Sequence, residues 1–303
     1  ADLFLVHDRP IAAPCDDSVA IVAGGAPLWI RRSRGCAPRP VRLSRPVAQP
    51  TLGCGAHLHV TVCLAIGDEA FLSPHIGDLD APEALDAFAA AAARLERLAG
   101  VRAERLAHDL HPGYATTRWA RARGLPATGV QHHHAHLAAA LADASADGPA
   151  FGLVWDGTGW GPDGCAWGGE LLLGDAAGYE RLATLRPLRL AGGEAAIREP
   201  WRLALAALDD AFDGAPPLAG LPLFAALGAE RVAPVQALLR SGAACVAAHG
   251  AGRWFDALGA LVLGRAHASY SGELALSWNA AARGAAGAPY PFQLDRERAP
   301  WQV

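Results

Sequence analysis

Phe151-Gly152-Leu153-Val154-Trp155-Asp156-Gly157-Thr158-Gly159-Trp160-Gly161-Pro162-Asp163-Gly164 is the stretch on which the fold turns. Its apolar start, Phe151–Asp156, predicts a buried strand that ends on a carboxylate followed by glycines. An α/β protein presents metal or phosphate ligands in this way, because missing side chains let backbone amides approach an anion. An ordinary hairpin turn is the alternative, since Asp-Gly is a common turn pair. Such a turn needs one or two glycines, and Gly157–Gly164 alone holds four. Asp156 is therefore a candidate ligand, Gly157, Gly159 and Gly161 are candidates for holding a phosphate, and Asp163 is read as shaping the turn.

Outward from there, Cys165–Gly174 and Tyr179–Pro187 read as the next strands. After Glu194 the chain turns largely helical, over Trp201–Phe212, Pro222–Leu227, Ala233–Ser241 and Arg253–Gly264. The same order occurs once before. Gly53 and Gly55 mark a first glycine turn, His57–Ile66 alternates, Gly67-Asp68 turns the chain and Ala70–Leu72 returns, which predicts a hairpin. Pro82–Gly100 follows as a helix with Pro82 in its first turn, Gly100 at its end and Leu85, Phe88, Leu95 and Leu98 as its apolar stripe. Strands around Arg105–Leu110 and Ala127–Gln131 flank a helix around Thr116–Arg123, and His133–Ala144 is a further helix. A glycine turn and hairpin, then helices, thus open near residue 52 and again near residue 150. This weak repeat is what a two-lobed, actin-like phosphotransfer fold of ribonuclease H-like halves requires, although two unrelated α/β domains give the same pattern. Residues 1–47 read as strand-rich, with Leu3–Val6, Ser18–Val22 and Leu28–Ile30 as short apolar runs. Pro38, Pro40, Pro46 and Pro50 make Ala37–Pro50 read as an extended linker and a domain boundary.

Composition excludes several classes. The 303 residues, 52% hydrophobic, suffice for two domains with a full core, and 18% charged residues with a net charge of −4 give no broad face for nucleic acid. No uncharged apolar run reaches the length of a membrane span. Asp2, His7, Asp8 and Arg9 interrupt any signal-peptide core. The six cysteines form no Cys-x-x-Cys pair, which argues against a disulfide framework or zinc ribbon and favours a reducing cytoplasm. The chain has neither Met nor Lys, which fits a GC-rich coding bias and suggests a start inside a longer protein, loss of an initiator Met being the alternative.

Val130-Gln131-His132-His133-His134-Ala135-His136 is the densest chemical signal. His132 and His136 stand one helical turn apart on one face, so two neutral imidazoles can chelate one divalent metal, while His133 and His134 point elsewhere. A His-rich surface turn would look the same. His108-Asp109-Leu110-His111-Pro112 adds imidazoles that equally suit a local turn. Glu170 is a candidate second carboxylate holding a histidine, or a solvated strand residue. Arg32 and Arg34, in Arg31-Arg32-Ser33-Arg34-Gly35, offer guanidinium forks to a phosphate, or lie on a solvated loop.

Taken with Leu5-Val6-His7-Asp8-Arg9-Pro10-Ile11, Cys15-Asp16-Asp17-Ser18-Val19 and Gly77-Asp78-Leu79, these motifs resemble in content and order those of the HypF family, which serves cyanide-ligand synthesis in [NiFe]-hydrogenase maturation. The resemblance implies that residues 1–47 are the tail of a YrdC-like domain that makes carbamoyl-adenylate from carbamoyl phosphate and ATP, with Mg for the ATP. It implies that residues 48–303 are an actin-like carbamoyltransferase domain, its first lobe about 50–149 and its second, C-terminally incomplete, from about 150. His132 and His136 match the paired histidines of that superfamily and Asp156 its first ligand aspartate, around a divalent metal that is Fe, Zn or Mn. The implied acceptor is the C-terminal cysteine of the partner HypE, in the cytoplasm, with no nucleic acid or membrane involved. A natural-product O-carbamoyltransferase and a non-catalytic fragment that binds HypE or nucleotide are the alternatives. The family's late Asp-Gly-Gly ligand motif has no match: after Ala280 the sole aspartate is Asp295, in the charged run Leu294–Arg298. The expectation is that this chain alone is inactive.

Overall fold

The computed structural model describes residues 2–297 and 299–303; Ala1 and, from the charged run, Arg298 lie outside the described residues. The chain forms two compact units, one of residues up to Val130 with Ala140–Asp147, the other of Gln131–Ala139 with Gly148–Val303.

In the first unit, β1 (Val19–Ala23) and β2 (Ala26–Arg31) pair as a hairpin. A second sheet holds β3 (Val41–Gly53), β4 (Cys63–Leu72), β5 (Arg105–Asp109) and β6 (Ala127–Val130) in the order β4-β3-β5-β6. Helices α1 (Pro82–Ala99) and α2 (Ala115–Ala122) lie between those strands in sequence, and α3 (His132–Asp143) follows them, its residues to Ala139 belonging to the second unit. Three expectations need correcting. The predicted linker is mostly strand: β3 pairs antiparallel with β4 and parallel with β5, and its register slips between Arg42 and Val47 and again between Val47 and Thr51. Pro46 and Pro50, which cannot donate to a ladder, fall in those two slips. Gly67-Asp68 is no turn but the middle of β4, Gly67 lying opposite Val47 at a positive φ of 56°. Leu3–Val6 forms no strand, and its side chains are almost wholly exposed, with no ladder partner.

Helix α1 ends as predicted, with Gly100 left-handed at φ 64° and its amide bonded back to Arg97 O. Phe88 and Leu95 bury against Leu52, Leu64 and Leu106, whereas Leu98 stays outside. Phe88 also meets Trp119 edge-to-face at 4.9 Å. Phe88→Ala is expected to lower the unfolding free energy by about 3–5 kcal/mol in a denaturant titration; a loss below ~1 kcal/mol would show that α1 does not anchor this core.

In the second unit, β7 (Ala150–Trp160), β8 (Ala166–Gly174) and β9 (Tyr179–Thr184) form an antiparallel meander. Then come β10 (Leu188–Ala191), α4 (Glu194–Arg198), α5 (Trp201–Ala211), α6 (Pro222–Leu227), α7 (Ala229–Ser241), β11 (Cys245–Ala248), α8 (Ala251–Leu263), α9 (Glu273–Ala281) and β12 (Trp301–Gln302). Strand β11 joins β8 in parallel and β10 antiparallel, and β12 joins β9 in parallel. The predicted turn at Gly157–Gly164 is shorter than expected. Strand β7 runs on to Trp160 after a register slip between Trp155 and Gly159, and the turn closes by Gly161 N donating to Cys165 O. Strand β7 is buried on one side only: Val154 is inside, while Phe151, Leu153 and Trp155 are more than half exposed. Asp163 shapes the turn, accepting hydrogen bonds from Cys165 N and Trp167 Nε1. Trp201, Leu205, Phe224, Leu239 and Leu274 build the main core here.

Candidate metal centre

His132 opens α3 immediately after β6, and one helical turn later His136 presents its ring on the same side, so the two Nε2 atoms stand 3.2 Å apart. Strand β7 brings Asp156 Oδ2 to 3.1 Å from His132 Nε2. The three donor atoms all lie within 4.8 Å of one another, the one such group of three found among the described residues. His136 is exposed, which leaves one side of the cluster open to solvent.

The donor set fits a divalent ion. Asp156 Oδ1 accepts the Gly157 amide at 2.6 Å, but Oδ2 is buried and receives no directed hydrogen bond despite the nearby imidazole. An ion held at ~2.1 Å from each would set neighbouring donors roughly 3.0–3.4 Å apart. Nitrogen and oxygen donors of this kind suit Fe, Zn and Mn alike. Burial pushes the Asp156 carboxyl up, but His132, His136 and the Gly157 amide outweigh it and hold its pKa below the usual carboxylate value.

His133 does not point away. Its ring is fully buried, with Nδ1 3.0 Å from Gln131 Nε2 and Nε2 3.8 Å from Asp156 Oδ2. Gln131 Oε1 accepts the His134 amide and its Nε2 also donates to Trp160 O, so the Gln131 amide must donate to His133. That assigns His133 as the neutral Nε2–H tautomer, its N–H toward the Asp156 carboxylate. Burial first, then the neighbouring His132 charge, lowers its pKa to about 4, which keeps it neutral at pH 7. Gln131 thus orients the His133 ring, whose Nε2 stands beside the carboxylate but outside hydrogen-bond distance. The sequence signal for them was their place in the His-rich run, but not their direction.

His134 does point elsewhere, to Asp175 O at 2.7 Å and against Tyr179. Glu170 holds no histidine: fully buried, it accepts Gly168 N, Gly169 N and Arg181 Nε, the last at 2.7 Å. Among the glycines, Gly159 is the one packed on the cluster. A Cβ there would lie 2.5 Å from His133 Cε1 and 2.8 Å from His132 Cδ2. Gly157 faces Arg253, and Gly161 faces the Trp167 indole. Gly53 and Gly55 belong to the first unit, Gly53 ending β3 and Gly55 at φ 68°. Arg32 and Arg34 lie in that unit too, where Arg34 pairs with Asp17 at 3.5 Å and donates to Cys15 O. His108 and Asp109 are buried in local hydrogen bonds, Asp109 Oδ1 accepting the His111 amide. Burial pushes the Cys54 and Cys63 thiols up to about 12 and about 11, so neither supplies a thiolate. Among the described residues no helix is long and apolar enough to cross a membrane.

The class to which this mixed α/β fold belongs, the Kae1-like domains of carbamoyltransferases, is given by comparison with known families. Two family models match: "HypF Kae1-like domain" over residues 46–143, and "Carbamoyltransferase, Kae1-like Domain, second subdomain" over residues 152–303. The chain belongs to the HypF carbamoyltransferase family. It is 43% identical to carbamoyltransferase HypF2 of Cupriavidus necator, over 91% of this chain and 34% of the relative. It is 41% identical to carbamoyltransferase HypF of Rhizobium leguminosarum bv. viciae, over 93% and 36%. A crystal structure of full-length HypF in a phosphate- and nucleotide-bound form superposes with a TM-score of 0.89 at 32% identity, over 97% of this chain and 38% of that one. The HypF structure of T. kodakarensis gives 0.76 at 29%, over 89% and 37%. The chain therefore spans about a third of the length of these relatives, and the actin-like α/β reading of its fold holds.

Proposed function

We propose that this chain carries the acyl-transfer half of a HypF-type carbamoyltransferase, which moves a carbamoyl group from carbamoyl-adenylate to a cysteine thiol. The observation that carries the reading is the convergence of His132, His136 and Asp156 beside an open face. A relative of the same fold that binds phosphate and nucleotide supports it. Carbamoyl phosphate and ATP are the ultimate substrates, the C-terminal cysteine of HypE the acceptor, and the cytoplasm the compartment. In the transfer, the thiolate sulfur forms a bond to the carbamoyl carbon. The bond from that carbon to the phosphate oxygen breaks, AMP leaves with the electron pair, and the thiol proton goes to solvent.

A divalent ion held by His132, His136 and Asp156 would supply Lewis-acid polarisation of the carbamoyl carbonyl. The chain's own residues prepare the place. Gln131 fixes the His133 ring beside the carboxylate, His132 and His136 present their ring nitrogens to one point, and the bare backbone at Gly159 leaves room for the His132 and His133 rings. Most of the acceleration then comes from holding thiolate and adenylate in line. His132→Ala in the full-length enzyme is expected to abolish carbamoylation of the partner thiol, read by mass spectrometry, while pyrophosphate release in carbamoyl-adenylate formation continues. Loss of both together would show that the two steps do not reside in separate domains.

A further inference from the structure

Arg253 combines deep burial with unmet hydrogen bonding. It stands in the first turn of α8, its side chain is 7% exposed, and its Nε and Nη1 are buried without a hydrogen-bond partner. Its ion-pair partner, Asp256, brings Oδ2 to 3.2 Å from Nη1 but off the line of a hydrogen bond. A guanidinium carries five donors in a plane, and burying them unmatched is costly. Asp256 offsets its charge, but Nε is left with neither an ion-pair nor a hydrogen-bond partner.

The surroundings say which acceptor. A Cβ on Gly157 would lie 2.8 Å from Arg253 Nη2 and 3.7 Å from Nε, so the fork rests on the backbone one residue beyond Asp156. Gly250, the N-cap of α8, abuts the Gly157 carbonyl, and a Cβ on Gly252 would lie 2.9 Å from Gly157 Cα. Three glycines therefore let the start of a thirteen-residue helix close on strand β7 beside the guanidinium. The helix start adds its own partial positive charge. Planar donors and a helix N-terminus at one point match a phosphate, which takes two oxygens from an arginine fork.

We propose that Arg253, at the N-terminus of α8, binds the phosphate of the adenylate next to Asp156. The proposal rests on the carbamoyl-transfer reading and adds the residue that receives the leaving group's charge. As the carbon–oxygen bond breaks, negative charge moves onto the departing phosphate oxygen, and a donor already in place stabilises it without reorganising.

Calorimetric titration of this chain with AMP and with adenosine isolates the phosphate. The unmutated chain should bind AMP roughly 10–100-fold more tightly than adenosine, the range for hydrogen bonds to a charged group. Arg253→Gln should bring the two affinities together while uptake of divalent metal persists. Equal affinities in the unmutated chain, or a preference for AMP that survives in Arg253→Gln, would overturn the assignment. If Arg253→Gln does not fold, the unmutated chain labelled with 15N-arginine decides. AMP should shift the Arg253 Nε–H resonance and adenosine should not; the same response to both rules the contact out. Failure of the carbamoyl-transfer reading shows differently, as AMP bound through Arg253 with no carbamoylated thiol formed by the full-length enzyme.

Discussion

Asp156→Asn is expected to lower the affinity for a divalent ion roughly 100-fold or more, since even residues one shell further out are worth 10–100-fold. The substitution keeps the shape and removes the charge. His132 and His136 would then face the ion as two neutral imidazoles, and the amide nitrogen would compete for the space of Oδ2. His134→Ala is the matched control: its ring bonds to Asp175 O, away from the cluster, so metal uptake should not change. Competition against a chelating dye measures both. A ligand bound only by the native state also raises its stability, by ~2.7 kcal/mol at a hundredfold excess over Kd. Metal should therefore raise the Tm of the unmutated chain and of His134→Ala, and leave that of Asp156→Asn unmoved. Equal uptake by the two variants would dissolve the cluster as a metal site.

The helices were legible because their signals are local. Pro82 and Gly100 bracket α1, and the spacing of Phe88 and Leu95 already declares which side is buried. The convergence of His132 and His136 was legible for the same reason, as four residues on a helix fix the neighbours. What failed was pairing between distant strands. Proline spacing made Ala37–Pro50 look like a linker, because propensity carries no information about β5, which lies some fifty residues on and accepts Thr51–Gly53 as a partner. Gly67 looked like a turn because a positive φ serves a turn and a kinked strand equally. The direction of His133 depended on Gln131, and the placement of Arg253 against β7 on Gly157 and Gly250; such three-body arrangements leave no spacing to read.

Gly159 shows how far the same residue can be read two ways. Its sequence context suggests a phosphate cradle, yet its backbone needs no left-handed conformation, and its Cβ position lies 2.5 Å from His133 Cε1 and 2.8 Å from His132 Cδ2. Neither ring yields easily. His133 is fully buried and tied to Gln131, and His132 is hemmed in by Asp156 and His136. Gly159→Ala must therefore push β7 away from α3 or rotate the rings off their common point. The expected outcome is a 10–100-fold loss of metal affinity, as when a supporting residue is lost, with about 1–3 kcal/mol of overpacking strain in a denaturant titration. Gly161→Ala provides the comparison, because a Cβ there meets the Trp167 indole and Asp163 rather than a histidine. It should cost similar stability and much less metal affinity. Metal binding left intact in Gly159→Ala, with AMP affinity lost, would return this glycine to the phosphate.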